Sequence, residues 1–527
     1  MKKVTIYDTT LRDGTQGEGI SLSVQDKLNI TKKLDALGVD YIEGGWPGSN
    51  PKDMDYFKEV QKLHLNHAQV VAFGSTRRKG IEAKDDLNLN AFVESGMKHV
   101  TLFGKSWDFH VTEALKATLE ENLEMIRSSI SYLRSKGIGV FYDAEHFFDG
   151  YKSNPEYALK TLAAAKEAGA LSLILCDTNG GALPDEVSTV VKKVQETFGM
   201  SIGIHCHNDG ELAVANSLMA VKAGADHVQG TMNGLGERCG NANIVSIIAN
   251  LELKMGYRCL AEEGIRHLTD TARFVSETAN MSLFNNQAFV GHSAFAHKAG
   301  IHVNAVLKDP KTYEHIAPEA VGNVRRVLVS ELAGAANLEY KIKELGLSFP
   351  EDKKVQQNFI AKIKGMEFQG YQFEGAEGSF ELLLKKETGE FDSGFRLDSF
   401  HVTATKRGGS PVYSEASVKI SVGEDSYHTA ADGVGPVDAL DNAIRKALET
   451  FYPNLKEMHL VDYKVRVLDA KDATSAKVRV LIESTDRDSS WTTIGVSTDI
   501  IEASWIALTD SISYKLMKDG SKKKIWN

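Results

Sequence analysis

The stretch SIGIHCHND (201–209) decides the fold. Its first seven residues read as a strand, and side chains two apart on a strand share a face. Ser201, Gly203, His205 and His207 then point one way, while Ile202, Ile204 and Cys206 point the other, toward an expected helix layer. Similar runs recur upstream and downstream. VTIYDT (4–9), VDYIEG (39–44), AQVVAFG (68–74), KHVTLFG (98–104), GIGVFYDA (137–144), LSLILCD (171–177) and ADHVQG (225–230) complete a set of eight, each followed by a helical pattern. Eight βα units in tandem predict a (β/α)8 TIM barrel, with functional groups at the C-terminal ends of the strands. A doubly wound sheet is the alternative; the regular count and spacing favour the barrel.

Helix boundaries support the same reading. Ser23 and Asp26 make a capping-box start, and Val24, Leu28, Leu34 and Leu37 line one face. Asn154 is placed to cap a helix that begins at Pro155. ALGVD, ESGMK, SKGIG, EAGAL and KAGAD each put a glycine where a helix ends.

The barrel accounts for residues 1–255 of 527. Residues 256–365 turn mainly helical and hold the His-rich stretch GHSAFAHKAGIHVNAV (291–306), so they read as an accessory segment of the working face. Residues 366–393 are Gly- and Glu-rich with one helix-like piece, FELLLKK, and read as a connector. Residues 394–527 read as an α+β domain with an internal repeat. LDSFHV (397–402) matches LVDYKV (460–465), ASVKISV (416–422) matches AKVRVLI (476–482), and 427–448 lies without a gap on 491–512. Two such halves create a pocket or a dimer surface, which suits regulation or assembly better than catalysis.

Bulk properties exclude some classes. The formal net charge of −10 disfavours a nucleic-acid partner. No apolar h-region follows the two N-terminal lysines, and no apolar run reaches the roughly 18 residues of a membrane span. Four cysteines without a CxxC pair read as reduced thiols of a cytoplasmic protein.

The chemistry gathers at the expected rim. His205 and His207 are either a metal pair or two hydrogen-bonded histidines. Asp13, in TTLRDGTQ after the first strand, supplies a hard ligand or makes a solvated turn pair with Arg12. In a closed barrel, strands one and seven open on the same rim. Two imidazoles and a carboxylate fit Zn, Mn, Fe or Co with positions open for substrate. Asn241, in NGLGERCGNAN, adds an amide oxygen or is a left-handed turn residue. Glu145 and Thr178 follow strands five and six, where each is a proton relay or carboxylate contact, or else a loop cap. His297 and His302 near a barrel mouth are candidates for a general base.

Together, LRDGTQ (11–16), HCHND (205–209), NGLGERCGNAN (233–243), HKAGIH (297–302) and TYEHI (312–316) resemble the Claisen-condensing metalloenzymes on a DRE-type TIM barrel: 2-isopropylmalate, homocitrate and citramalate synthases. The resemblance implies that Asp13, His205, His207 and Asn241 hold a divalent ion, among Mn, Zn, Mg and Co. It implies that Arg12 polarises the 2-oxo group of the substrate and that Thr178 contacts its carboxylate. Glu145, His302 and Tyr313 take acid/base roles at the acetyl-CoA methyl, with the base either Glu145 or His302. The C-terminal repeat resembles the family's allosteric domain, which implies an end-product amino acid effector and a homodimer.

EGGWPGSNPKD (43–53) resembles the branch that uses pyruvate, which makes isoleucine the expected effector. The 2-isopropylmalate branch, with 2-oxoisovalerate as substrate, is the alternative within the family. A retro-acting acyl-CoA lyase or aldolase is disfavoured by the C-terminal repeat. A non-catalytic amino-acid sensor is disfavoured because Arg12, Asp13, His205 and His207 are all present.

Overall fold

A computed structural model of the chain describes residues 2–328, 338, 340, 342, 343, 352–391, 393–468, 476–487 and 489–520. Most of 329–351, within the expected accessory segment, and all of 521–527 lie outside the described residues.

Eight parallel strands close in chain order, the last against the first. They are β1 (Thr5–Asp8), β2 (Tyr41–Gly45), β3 (Gln69–Ser75), β4 (His99–Lys105), β5 (Gly139–Glu145), β6 (Ser172–Asp177), β7 (Ile202–Cys206) and β8 (His227–Gly230). The doubly wound alternative is thereby excluded. Side-chain alternation builds two cores. Ile202, Ile204 and Cys206 face outward into the layer shared with the helices. Inward, Tyr7, Val71, Phe141, Ile174 and Cys176 plug the barrel. At Gly203 an added Cβ would stand 2.7 Å from Ile174, so the plug needs that glycine.

The helix signals operate as read. Ser23 and Asp26 form a reciprocal capping box at the head of helix Val24–Leu37, which ends at Gly38 with φ 91°. The Asn154 side chain accepts from the Tyr157 N–H, with Pro155 in the first turn.

The chain divides into two compact units, Met1–Phe295 with Glu314–Arg325, and Ala296–Tyr313 with Arg326–Asn527. The second unit contains a short parallel pair, β9 (Ala296–His297) and β10 (Arg326–Val327). It also contains the repeat as two three-stranded antiparallel sheets. The first sheet is β11 (Arg396–Thr405), β12 (Tyr413–Val422) and β13 (Asp425–Gly433), followed by helix Pro436–Leu448. The second is β14 (His459–Val467), β15 (Val478–Thr485) and β16 (Ser490–Ser497), followed by helix Ile500–Lys518. The halves match down to an irregularity. β11 slips register between Leu397 and Ser399, and β14 slips between Leu460 and Asp462. The aligned pairs Ala439/Ala503 and Ala443/Ala507 are all fully buried, where small side chains let each helix sit close on its sheet. In the stretch read as a connector, helix Glu377–Thr388 packs Phe380 and Leu384 against Phe359, Ile363 and Ile494.

Candidate active site

The C-terminal ends of β1, β5, β6 and β7 deliver six of the expected groups to one cavity of about 230 Å³: Arg12, Asp13, Glu145, Thr178, His205 and His207. Asp13, His205 and His207 are buried, and their ligand atoms lie within 4.8 Å of one another. His205 Nε2 sits 3.4 Å from Asp13 Oδ2 and 3.4 Å from His207 Nε2.

Protonation decides what this cluster can bind. Burial lowers both imidazoles, His205 to about 3, so both are neutral. Burial works to raise Asp13, but the Arg12 guanidinium beside it prevails and keeps it below the usual carboxylate value. His205 Nδ1 lies 3.0 Å from the Gln229 Oε1 acceptor, which puts the ring proton on Nδ1. Its Nε2 lone pair therefore faces the Asp13 carboxylate, acceptor to acceptor, an arrangement that calls for a cation between them. Asp13 Oδ1, His207 Nδ1 and Asn241 Oδ1 are likewise buried with no hydrogen-bond partner among the described residues. The donor set, two neutral imidazoles with a carboxylate and an amide oxygen, fits a divalent ion.

Asn241 reaches this site because its loop folds back on β7. Asn241 bridges His207, and the Ala242 N–H donates to the Cys206 carbonyl at 2.9 Å. The Asn241 amide donates to the Leu235 carbonyl at 3.2 Å, which leaves Oδ1 free to ligate. Gly240 makes the turn at φ 85°, where a Cβ would stand 2.0 Å from the Gly234 oxygen.

Arg12 is held on three sides. Its Nε donates to Glu43 at 2.5 Å, Nη1 lies 3.3 Å from Asp13, and its guanidinium carbon sits 3.6 Å above the Phe73 ring. Burial opposes its charge, but Asp13 and Glu43 hold it firmly cationic. The Thr178 hydroxyl accepts from the His146 N–H at 2.9 Å, so its own proton is free for a ligand. Arg238 holds the Thr178 carbonyl at 2.7 Å while bridging both oxygens of Asp209. Glu145 is ion-paired with Lys105. His302 and Tyr313 belong to the second unit, where their rings lie 4.2 Å apart.

Residues 3–278 match the HMGL-like family, 289–370 the homocitrate synthase post-HMGL domain-like family, and 374–516 the LeuA allosteric (dimerisation) domain. The chain is 55% identical over 520 residues to an (R)-citramalate synthase of Aquifex aeolicus, covering 98% of both proteins. It is 53% identical to one from Geobacter sulfurreducens, covering 99% of this chain and 100% of that protein. The chain belongs to the (R)-citramalate synthase family. A 2-isopropylmalate synthase of Methanocaldococcus jannaschii is 32% identical, over 98% of this chain and 95% of that protein.

A buried relay beneath the family's rim residues escaped the reading of the sequence. Gln229 on β8 joins His205 to Asp143 on β5, donating to Asp143 Oδ1 at 3.0 Å. Burial, then Glu43, raises Asp143 well above the carboxylate range, so it is a neutral acid. Glu43 on β2 receives Arg12 and also the Tyr7 hydroxyl, the latter at 2.7 Å. One signal was available: Glu43 and Asp143 are acids within otherwise apolar barrel strands, where an unpaired charge is costly.

Proposed function

We propose that the chain condenses pyruvate with acetyl-CoA and water to (R)-citramalate and CoA. The observation that carries this reading is the convergence of Asp13, His205 and His207 beside a guanidinium, in a chain 45–55% identical to five (R)-citramalate synthases. Asp13, His205 and His207, with Asn241, would hold a divalent ion, one of Mn, Zn, Mg or Co. Such an ion supplies Lewis-acid polarisation of the 2-oxo group when bound.

The chain's own groups account for the rest. The Thr178 hydroxyl donates to the pyruvate carboxylate and fixes its orientation. Arg12, pinned by Glu43 and Phe73, directs its remaining N–H groups at the keto oxygen and stabilises the alkoxide as charge develops there. Glu145 or His302 accepts the proton from the acetyl methyl, and the resemblance adds Tyr313 as a further acid/base group. The methyl carbon bonds to the keto carbon, the keto oxygen takes a proton, and water cleaves the thioester C–S bond to release CoA. That hydrolysis pulls the sequence forward.

We also propose that residues 1–255 form the catalytic barrel, 256–365 an accessory segment that completes the active site, and 366–393 a connector. In this reading residues 394–527 form a homodimerising domain that binds isoleucine as inhibitor. Support for the last assignment comes from the dimerisation-domain match over 374–516 and from the twofold repeat. No helix among the described residues is long and apolar enough to cross a membrane.

The test is CoA release from acetyl-CoA with a panel of 2-oxo acids. Pyruvate is expected to give the highest kcat/KM. A higher value with 2-oxoisovalerate would overturn the assignment in favour of 2-isopropylmalate synthesis. Adding isoleucine to the same assay should lower the rate.

A further inference from the structure

The cavity has a polar side and an aromatic side. Arg12, Asp13, Thr178 and the two imidazoles belong to a polar lining that also includes Glu145 and Arg238. Trp46, Phe73 and Phe103 make up the other, and besides them only Cys176 among the lining residues is apolar.

Trp46 reaches this cavity against the simple alternation of β2. Glu43 faces inward to Arg12, and Gly44 faces outward, where an added Cβ would stand 2.3 Å from the Tyr56 ring. Strict alternation would send Gly45 in and Trp46 out. The register against β3 slips between Glu43 and Gly45, and a bulge of this kind re-aims the side chain that follows it. Gly45 allows the turn at φ 150°, with the Asp53 carboxyl where its Cβ would be. Asp53 then anchors the next peptide, accepting from the Trp46 N–H at 2.9 Å and from buried Lys27 at 2.5 Å.

The indole is fixed at its far end as well. Its Nε1 donates to Asn88 Oδ1 at 2.5 Å, and the Asn88 amide donates to the Ser75 carbonyl at 2.8 Å. Gly74 makes room for this, since a Cβ there would stand 2.7 Å from Trp46 Nε1. The indole lies edge-on to Phe73 and Phe103, with centroids 6.0 and 5.6 Å away. Those two rings stack on each other at 5.3 Å, and Phe73 carries Arg12 on its face. A side chain held at its peptide, its ring nitrogen and its edges cannot swing aside for a larger ligand without breaking one of these contacts.

We propose that Trp46 sets the substrate's size: with Phe73 and Phe103 it forms a rigid aromatic wall that leaves room for a methyl group, and nothing larger, on the 2-oxo acid. This rests on the reading of the cavity as the pyruvate site. The keto oxygen and carboxylate use the polar side, so the alkyl carbon is left to the aromatic side. Favourable contact with one methyl gives little selectivity by itself. Exclusion by a wall that cannot move gives more, because the larger acid has to break the Trp46–Asn88 contact to enter.

The experiment measures kcat/KM for pyruvate, 2-oxobutanoate and 2-oxoisovalerate in the full-length wild type, Trp46→Val and Asn88→Ala. Wild-type preference for pyruvate tests the underlying reading, and a preference for 2-oxoisovalerate would remove both that reading and this one. Given a pyruvate-preferring wild type, Trp46→Val should raise the ratio of 2-oxoisovalerate to pyruvate by about tenfold or more, since the larger acid carries two more carbons and each methylene commands roughly 10–200-fold. Asn88→Ala keeps the indole but frees its tip, and should raise the 2-oxobutanoate ratio severalfold. General destabilisation lowers all three values together and leaves the ratios alone. Should Trp46→Val fail to fold, the Asn88→Ala ratio decides. Unchanged ratios in the folded variants would overturn the role of Trp46.

Discussion

Replacing Gln229 with methionine tests whether the metal site depends on its buried supports. Gln229 is fully buried, of similar length to methionine, and makes two 3.0 Å hydrogen bonds, to His205 Nδ1 and to Asp143. Methionine fills the space and makes neither. The first loss frees the His205 proton to sit on either nitrogen and removes the contact that orients the ring. Supports of this kind are worth about 10–100-fold in metal affinity. At about 1.4 kcal/mol per tenfold, that is roughly 1.4–2.8 kcal/mol. The second loss leaves the Asp143 carboxyl without its donor, which adds about 1–3 kcal/mol to the cost of folding. Competition between the apoprotein and a chromogenic chelator for Co or Mn measures the first effect, and equilibrium unfolding of the apoprotein measures the second. The expectation is weaker binding and a less stable apoprotein. Wild-type metal affinity in a folded Gln229→Met protein would refute the argument that His205 is held in one tautomer from behind.

Three further outcomes follow from other parts of the fold. Asp8 is buried, and burial raises its carboxyl from the usual 3.8 to about 7 against hydrogen bonds from Thr10. The folded chain thus keeps a proton that the unfolded chain loses, so stability falls as pH rises from about 4 to about 7. Asp8→Asn should gain on the wild type across that window by up to about 4 kcal/mol in denaturant titrations, and a pH-independent difference would count against it. Gly240→Ala must shift the loop that carries Asn241, because its Cβ would meet the Gly234 oxygen. Chelator competition should show about tenfold weaker metal binding. In the C-terminal domain, Asp486 pairs with Lys515 at 2.7 Å and Lys518 at 3.0 Å, with the Asp486 and Lys515 side chains almost wholly buried. Asp486→Asn should cost about 3 kcal/mol, the low end for a broken buried pair, because Asp519 still faces Lys515. Calorimetry should show that loss while metal affinity stays unchanged.

The barrel was legible because alternation and length are local properties. Each strand begins and ends within two residues of its expected stretch, and His205 and His207 share a face for the same reason. The repeat was legible because 427–448 lies without a gap on 491–512, behind strand stretches that match in the same order. The relay from His205 through Gln229 to Asp143 was not, since it forms only when β7, β8 and β5 close into a ring. The cavity-facing position of Trp46 was not legible in EGGWPGSNPKD. Its reason lies in a register slip and in glycines at 45 and 74, and neither changes the local hydrophobic pattern. Asn241 was legible as a residue type in a Gly-rich turn, but its freed amide oxygen depends on a bond to Leu235 that no periodicity encodes.

The central claim is that Asp13, His205 and His207 hold the ion on which condensation depends. The direct measurement is metal content beside pyruvate-dependent CoA release, for wild type and His207→Ala, after stripping and reloading with one divalent ion. The account predicts about one ion per wild-type chain with activity restored on reloading, and a folded His207→Ala protein with little metal and no turnover. Full activity in metal-free wild type, or normal turnover by His207→Ala at normal metal content, would contradict it.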